Sequence, residues 1–154
     1  MISISNRIKY YLICLYFFTI YFFIDVDIFK PECNFRKNIF PFFSKKISPF
    51  NSQNTLIHRR VIKDYFLFPH IGRMDDIWAA FYVTSKKYKV IYNEPTVYQK
   101  RNIHNLINDF KQEYIGYTNS LRLVESLYIN SENIYNYLPK KSSLAFDEWK
   151  KITS

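Results

Sequence analysis

Glycine is nearly missing from this 154-residue chain, which carries 2 against 14 tyrosines and 15 phenylalanines. With 48% hydrophobic residues such a composition excludes a disordered chain; the sequence folds or lies in a membrane. Cysteine is as scarce. Cys14 and Cys33 are isolated thiols without C-x-x-C or zinc-type spacing, so they specify neither a disulfide scaffold nor a thiolate metal site. The three histidines, His58, His70 and His104, are scattered in the manner of structural or surface residues. No internal repeat is present, and no long run of one charge sign. The net charge of +9 is spread over scattered lysines, paired only at 45–46, 86–87, 140–141 and 150–151. An excess of this kind attracts phosphate-bearing partners, whether nucleotide, nucleic acid or anionic lipid. Codon usage in an AT-rich genome would produce much of it. Without a basic run or interleaved aromatics on a strand platform, nucleic acid is the disfavoured partner.

A full membrane-spanning run is also lacking. Residues 10–24 are uncharged and apolar, preceded by Arg7 and Lys9 and closed by Asp25, but a spanning helix needs about 20 such residues. No small-residue cleavage site follows. Two readings of residues 1–24 stand: a membrane or signal anchor, or a buried β-strand with its lead-in. Localisation is accordingly membrane-associated or cytoplasmic. A length of 154 residues suits one domain with a single sizeable core.

Beyond that segment the chain is patterned. Pro31, Pro41 and Pro49 among phenylalanines predict extended segments and turns. Asn51-Ser52-Gln53-Asn54-Thr55 is a dense polar cluster whose donors and acceptors suit either a tight turn or sugar hydroxyls. A short helix is expected over 58–65, and strands over 89–93 and 96–99 about a turn at Asn93-Glu94-Pro95. From 102 to 128, Ile103, Leu106, Ile107, Phe110, Tyr114, Tyr117, Leu121, Val124 and Tyr128 recur at three- and four-residue steps. That is a helix whose aromatic stripe is expected to form core, with a kink or a break at Gly116. Two helical pieces follow, 131–138 ended by Pro139 and 142–151 opened by a serine cap.

The segment Gly72-Arg73-Met74-Asp75-Asp76-Ile77-Trp78 places two carboxylates after a glycine, where an amphipathic helix running to Lys86 or Lys87 begins. Trp78, Phe81, Tyr82 and Ser85 fall at core spacing. Acidic pairs open many helices purely as caps. The same position lets Asp75 cap while Asp76 stays ionised at the positive end of the helix dipole, where a carboxylate can serve as a general base.

Taken together, Pro49-Phe50-Asn51-Ser52-Gln53-Asn54-Thr55, the Gly72–Ala79 segment and Tyr114-Ile115-Gly116-Tyr117 resemble the reversibly glycosylated polypeptide family and STELLO-like glycosyltransferases. The resemblance covers roughly residues 25–128, and its specific motif is the middle one. It implies an α/β class, or α+β for a truncated chain: the acceptor-side half of a GT-A-like fold over 25–154, with a few strands and several C-terminal helices. It implies nucleotide-sugar chemistry by a transferase or a ring mutase. On that resemblance Asp76 is the base that deprotonates the acceptor, Asp75 orients it, and Arg73 steadies a phosphate or the carboxylates. Asn51, Gln53 and Asn54 would contact substrate. Asp25 and Asp27 have the D-x-D form that holds a divalent cation, Mn²⁺ or Mg²⁺, against a diphosphate. Glutamine at 99 departs from the family pattern, which has a histidine there, and His104 is out of register. A GT-A enzyme also needs a nucleotide-binding half of about 100 residues ahead of the acceptor half. The implied partners are a nucleotide sugar, a glycosyl acceptor, a separate N-terminal half and a membrane surface. The alternative is a small membrane-associated interaction protein without catalytic activity.

Overall fold

Seven consecutive buried residues, Trp78 to Thr84, set one helix at the centre of this unit and the other elements around it. The computed structural model of the chain describes residues 40–94, 96 and 105–154, which belong to a unit spanning Lys37–Ser154. The apolar run at 10–24, the Asp25 and Asp27 pair, and Gln99 lie outside the described residues.

In chain order come strand β1 (Phe42–Ser44), a 3-10 turn at Arg59–Val61, a second at Gly72–Met74, helix α1 (Asp75–Ser85), strand β2 (Val90–Tyr92), helix α2 (Leu106–Ile129), a 3-10 segment at Ser131–Asn136 and helix α3 (Lys140–Thr153). The strands pair antiparallel, Phe42 opposite Tyr92, Phe43 opposite Ile91 and Ser44 opposite Val90. The class is α+β. Among the described residues no strands pair in parallel, so the α/β expectation gives way to its α+β form.

Helix α1 departs from the amphipathic expectation. Residues 78–84 contain no charge, and Ala79 and Ala80 let neighbours approach on the sides opposite the rings, so the helix is covered all round. The helix stops at a left-handed Lys87 (φ 66°), whose N–H reaches the Thr84 carbonyl at 3.1 Å. A lysine there does what glycine does at many helix ends.

Helix α2 runs unbroken through Gly116 as one helix, not as two. The Asn105 side chain accepts the Asn108 N–H at 3.2 Å and caps it. Its buried residues are Gly116, Leu123 and Leu127. Here the core expectation for the aromatic stripe fails, since Ile107, Phe110, Tyr114, Tyr117, Leu121 and Tyr128 are all half exposed or more.

Helix α3 begins earlier than the serine-cap reading predicts, directly after Pro139. Ser142 is fully buried instead, and its hydroxyl donates to the Pro69 carbonyl. The short helix expected at 58–65 reduces to a 3-10 turn capped by His58, whose Nδ1 accepts the Arg60 N–H at 3.2 Å.

The core joins Phe68, Ile71, Trp78, Tyr82, Leu123, Leu127, Ile134 and Phe146. Phe68 and Tyr82 both meet the Phe146 ring edge to face, at 5.1 and 5.2 Å between centroids. That geometry adds to burial about 0.5–1.5 kcal/mol per pair.

Candidate functional site

The Gly72–Trp78 motif is read by α2 one turn at a time. Gly72 has φ 63°, and a Cβ there would overlap the backbone carbonyl of Gln112. The Arg73 guanidinium donates from Nε to Glu113 Oε1 at 2.9 Å and from a terminal nitrogen to Asp109 Oδ1 at 3.1 Å. These two carboxylates sit one turn apart on α2, so a single fork spans both. Next, Met74 packs on Gly116, where any added side chain would strike its thioether. Trp78 Nε1 then donates to Ser120 Oγ at 3.0 Å. The motif and positions 109, 112, 113, 116 and 120 therefore form one continuous helix crossing. Arg73 is engaged there, with Asp109 and Glu113 and not with Asp75 or Asp76.

The acidic pair faces a different neighbour. Met74, not Asp75, occupies the capping position of α1, because the preceding 3-10 turn runs directly into the helix. Asp75 is the first helical residue, and its Oδ1 accepts the Asp76 N–H at 2.9 Å, which satisfies one first-turn donor from within the turn. Asp76 Oδ2 accepts twice from Ser52, from the backbone N–H at 2.9 Å and the hydroxyl at 3.2 Å. Its Oδ1 takes no hydrogen bond from the described residues.

The polar cluster is thus brought onto Asp76 through Ser52. Residues 48–52 run as a strap along α1, from Ser48, whose N–H points at Thr84 Oγ1 at 3.4 Å, to Ser52 at Asp76. Within the cluster Asn51 makes a turn, its Oδ1 accepting the Gln53 N–H at 3.3 Å and its carbonyl the Thr55 hydroxyl at 2.5 Å. Asn54 Nδ2 donates to Thr96 Oγ1 at 3.1 Å. Asn51 and Asn54 hold the loop, while the Gln53 side chain is exposed.

Beneath the strap, the Phe50 ring stacks on Tyr65 at 5.6 Å. The Tyr65 hydroxyl is buried with no hydrogen-bond partner among the described residues. Burial, then the charges of Asp76 and Asp75, push this phenol up to about 12. On its outer side Tyr65 lines an apolar groove of about 470 Å³ with Ile57, Ile62, Phe66, Leu67 and Trp149.

A second polar cluster joins the C-terminal end of α1 to the tail. Glu132 accepts from Lys86 Nζ at 2.9 Å and from the Tyr82 hydroxyl at 3.2 Å, and lies 3.7 Å from Lys150 Nζ. Lys150 Nζ stands 4.4 Å from the Phe146 ring centroid, with the Tyr82 and Tyr135 rings at 5.4 and 5.2 Å. Burial acts to raise the Glu132 carboxyl, but the Lys86 hydrogen bond, the two ammonium charges and the Tyr82 hydroxyl outweigh it, so the net shift is downward. Burial and the neighbouring Glu132 charge raise the Tyr82 phenol.

Ser52, Tyr65 and Glu132 escaped the sequence reading. Ser52 lay inside the polar cluster without a distinguishing signal, and nothing in the local pattern marks Tyr65 or Glu132. No group of three His, Cys, Asp or Glu side chains among the described residues is placed to hold a metal ion. Among those residues, too, no helix is long and apolar enough to cross a membrane. Compared with protein-family models, with curated proteins and with solved structures, the chain matches none.

Proposed function

We propose that this unit is the acceptor-side part of a GT-A-like, nucleotide-sugar-dependent transferase or mutase, and that Asp76 is its general base. The observation that carries the reading is the one-sided anchoring of Asp76. Both Ser52 donors hold Oδ2, which fixes the carboxylate and leaves Oδ1 as the accepting oxygen beside a loop of sugar-compatible amides. In the proposed step an acceptor hydroxyl within about 2.6–3.2 Å gives its proton to Oδ1. Its oxygen bonds to the anomeric carbon as the nucleoside diphosphate departs with the electrons of the broken bond. The cation implied by the family resemblance would rest on Asp25 and Asp27, outside the described residues, and the proton transfer does not depend on it.

Arg73, engaged by Asp109 and Glu113, acts by fixing the start of α1 and so the direction of Asp76; it is a positioning residue. Calorimetric titration of the chain with nucleoside diphosphate sugars and Mn²⁺, followed by a transfer assay on Asp76→Asn and Ser52→Ala, tests the reading. Binding of a donor, with turnover abolished in Asp76→Asn and only reduced in Ser52→Ala, supports it. No heat at millimolar donor sinks catalysis by this chain on its own, and two variants that differ from the native chain only in stability and by equal amounts sink the role of Asp76 as base and leave it as a clamp for the loop.

A further inference from the structure

The exposed face of α2 is built as a seam. Ile107, Phe110, Tyr114, Leu121 and Tyr128 follow the alternating three- and four-residue steps of a heptad's a and d positions, with Tyr117 and Val124 at the intervening ones. This stripe borders the one that packs on the unit through Gly116, Leu123 and Leu127, and it touches the unit only near its C-terminal end, where Val124 packs against the core and the Tyr128 hydroxyl accepts the Ile47 N–H at 3.2 Å. Ile107 is 69% exposed and Leu121 65%. Monomers rarely leave an apolar stripe along the whole of a 24-residue helix, about 36 Å in length.

We propose that a second copy of this chain covers the seam, with the two α2 helices packed antiparallel about a two-fold axis beside Thr118. The proposal is independent of any catalytic role for Asp76. Its first ground is charge. Lys111 and Glu125 are exposed, lie at the e positions on the edge of the seam remote from the unit, and stand seven residues to either side of Thr118. An antiparallel pair centred there sets Lys111 of each copy against Glu125 of the other, twice over. The parallel alternative would pair these positions with Leu106 and Ser120, and so bring no opposite charges together. In the antiparallel register Phe110 meets Tyr128 of the second copy and Tyr114 meets its Val124.

The second ground is area. Aromatic side chains carry about 150–250 Å² each, so the five seam residues, left half exposed or more, offer on the order of 500–600 Å² per copy. Over the two copies this comes to roughly 1,000–1,200 Å², the low end of specific interfaces.

Sedimentation velocity on the full chain, with far-UV circular dichroism as the control for folding, tests this with three charge variants. Lys111→Glu places like charges opposite at both contacts, and Glu125→Lys does the same with the other sign. Each is expected to raise the dimer dissociation constant by about tenfold. Combining the two restores both pairs and returns the constant to within about threefold of the native value. Within one chain the positions lie fourteen residues apart, about 21 Å along the helix, so a rescue of this kind arises only between copies. A chain that stays monomeric to about 100 µM overturns the proposal. So does a dimer that ignores the single charge reversals.

Discussion

Replacing Gly116 by alanine sets two effects against each other. Helix propensity alone favours alanine by about 0.8–1.0 kcal/mol in a helix interior. The structure argues the reverse, because a Cβ at 116 would strike the thioether of Met74, with Cγ, Sδ and Cε all in its way. Clearing all three requires a new χ1 rotamer for Met74, whose present contacts are then lost. Forcing a methyl group into a packed contact costs about 1–3 kcal/mol, so the net change is a loss of about 1 kcal/mol. The diagnostic is a change of sign in a second background. Met74→Ala empties the obstructing space at its own cost, and Gly116→Ala then stabilises by close to its full propensity gain. The coupling between the two substitutions should be about 2 kcal/mol. Urea unfolding followed by tryptophan fluorescence reads all four proteins, Trp78 being fully buried, provided the slope is common to them. If Gly116→Ala stabilises the native chain outright, α2 does not cross the Gly72–Met74 turn as closely as described, and the reasoning fails.

Gly72→Ala meets backbone instead of side chain and also faces a left-handed φ, so it should cost about 3 kcal/mol or more, with no rescue from Met74→Ala. Tyr65→Phe removes a buried hydroxyl that no described residue bonds, and should leave stability unchanged or raise it by about 1 kcal/mol in the same urea assay. Because the Tyr65 phenol is raised from 10 to about 12, its share of stability is present below pH 10 and lost as the pH climbs to 12; alkaline melts of Tyr65→Phe should be flatter over that window. Glu132 has the opposite sign. Its lowered carboxyl stabilises above the ordinary value of 4.5 and ceases to as the pH falls below it, so Glu132→Gln should cost about 1 kcal/mol at neutral pH and weaken the acid-side dependence of the melting temperature.

Much of the element pattern was open to a reader of the sequence. The glycine followed by two aspartates does open a helix, and that helix ends at Ser85, one residue short of the expected range. The strand read over 89–93 is present at Val90–Tyr92, and the long helix lies within two residues of its predicted end. The face that α2 buries was not legible. Large aromatics dominate its periodicity, whereas the helix docks through Gly116, Ser120 and the backbone at Gln112, with Leu123 and Leu127 as the large apolar contacts. Periodicity reports that a stripe is apolar, not what covers it. Arg73 misled for a related reason: a guanidinium near a carboxylate pair suggests phosphate, but its partners Asp109 and Glu113 lie 36 and 40 residues on. Ser142 shows the same limit, since a serine near a helix start reads as a cap until the Pro69 carbonyl is found beside it.

The burial of α1 on every side also governs how it opens to solvent. An 11-residue helix is marginal alone in water, and this one would expose Trp78, Phe81, Tyr82 and Val83. Helix α2 is more than twice as long, carries its own cap at Asn105 and turns a polar and aromatic surface to solvent. The centre of the unit therefore keeps its helix only while the surrounding elements are in place, so its amides should exchange with solvent only through opening of the whole unit, while the ends of α2 exchange through fraying.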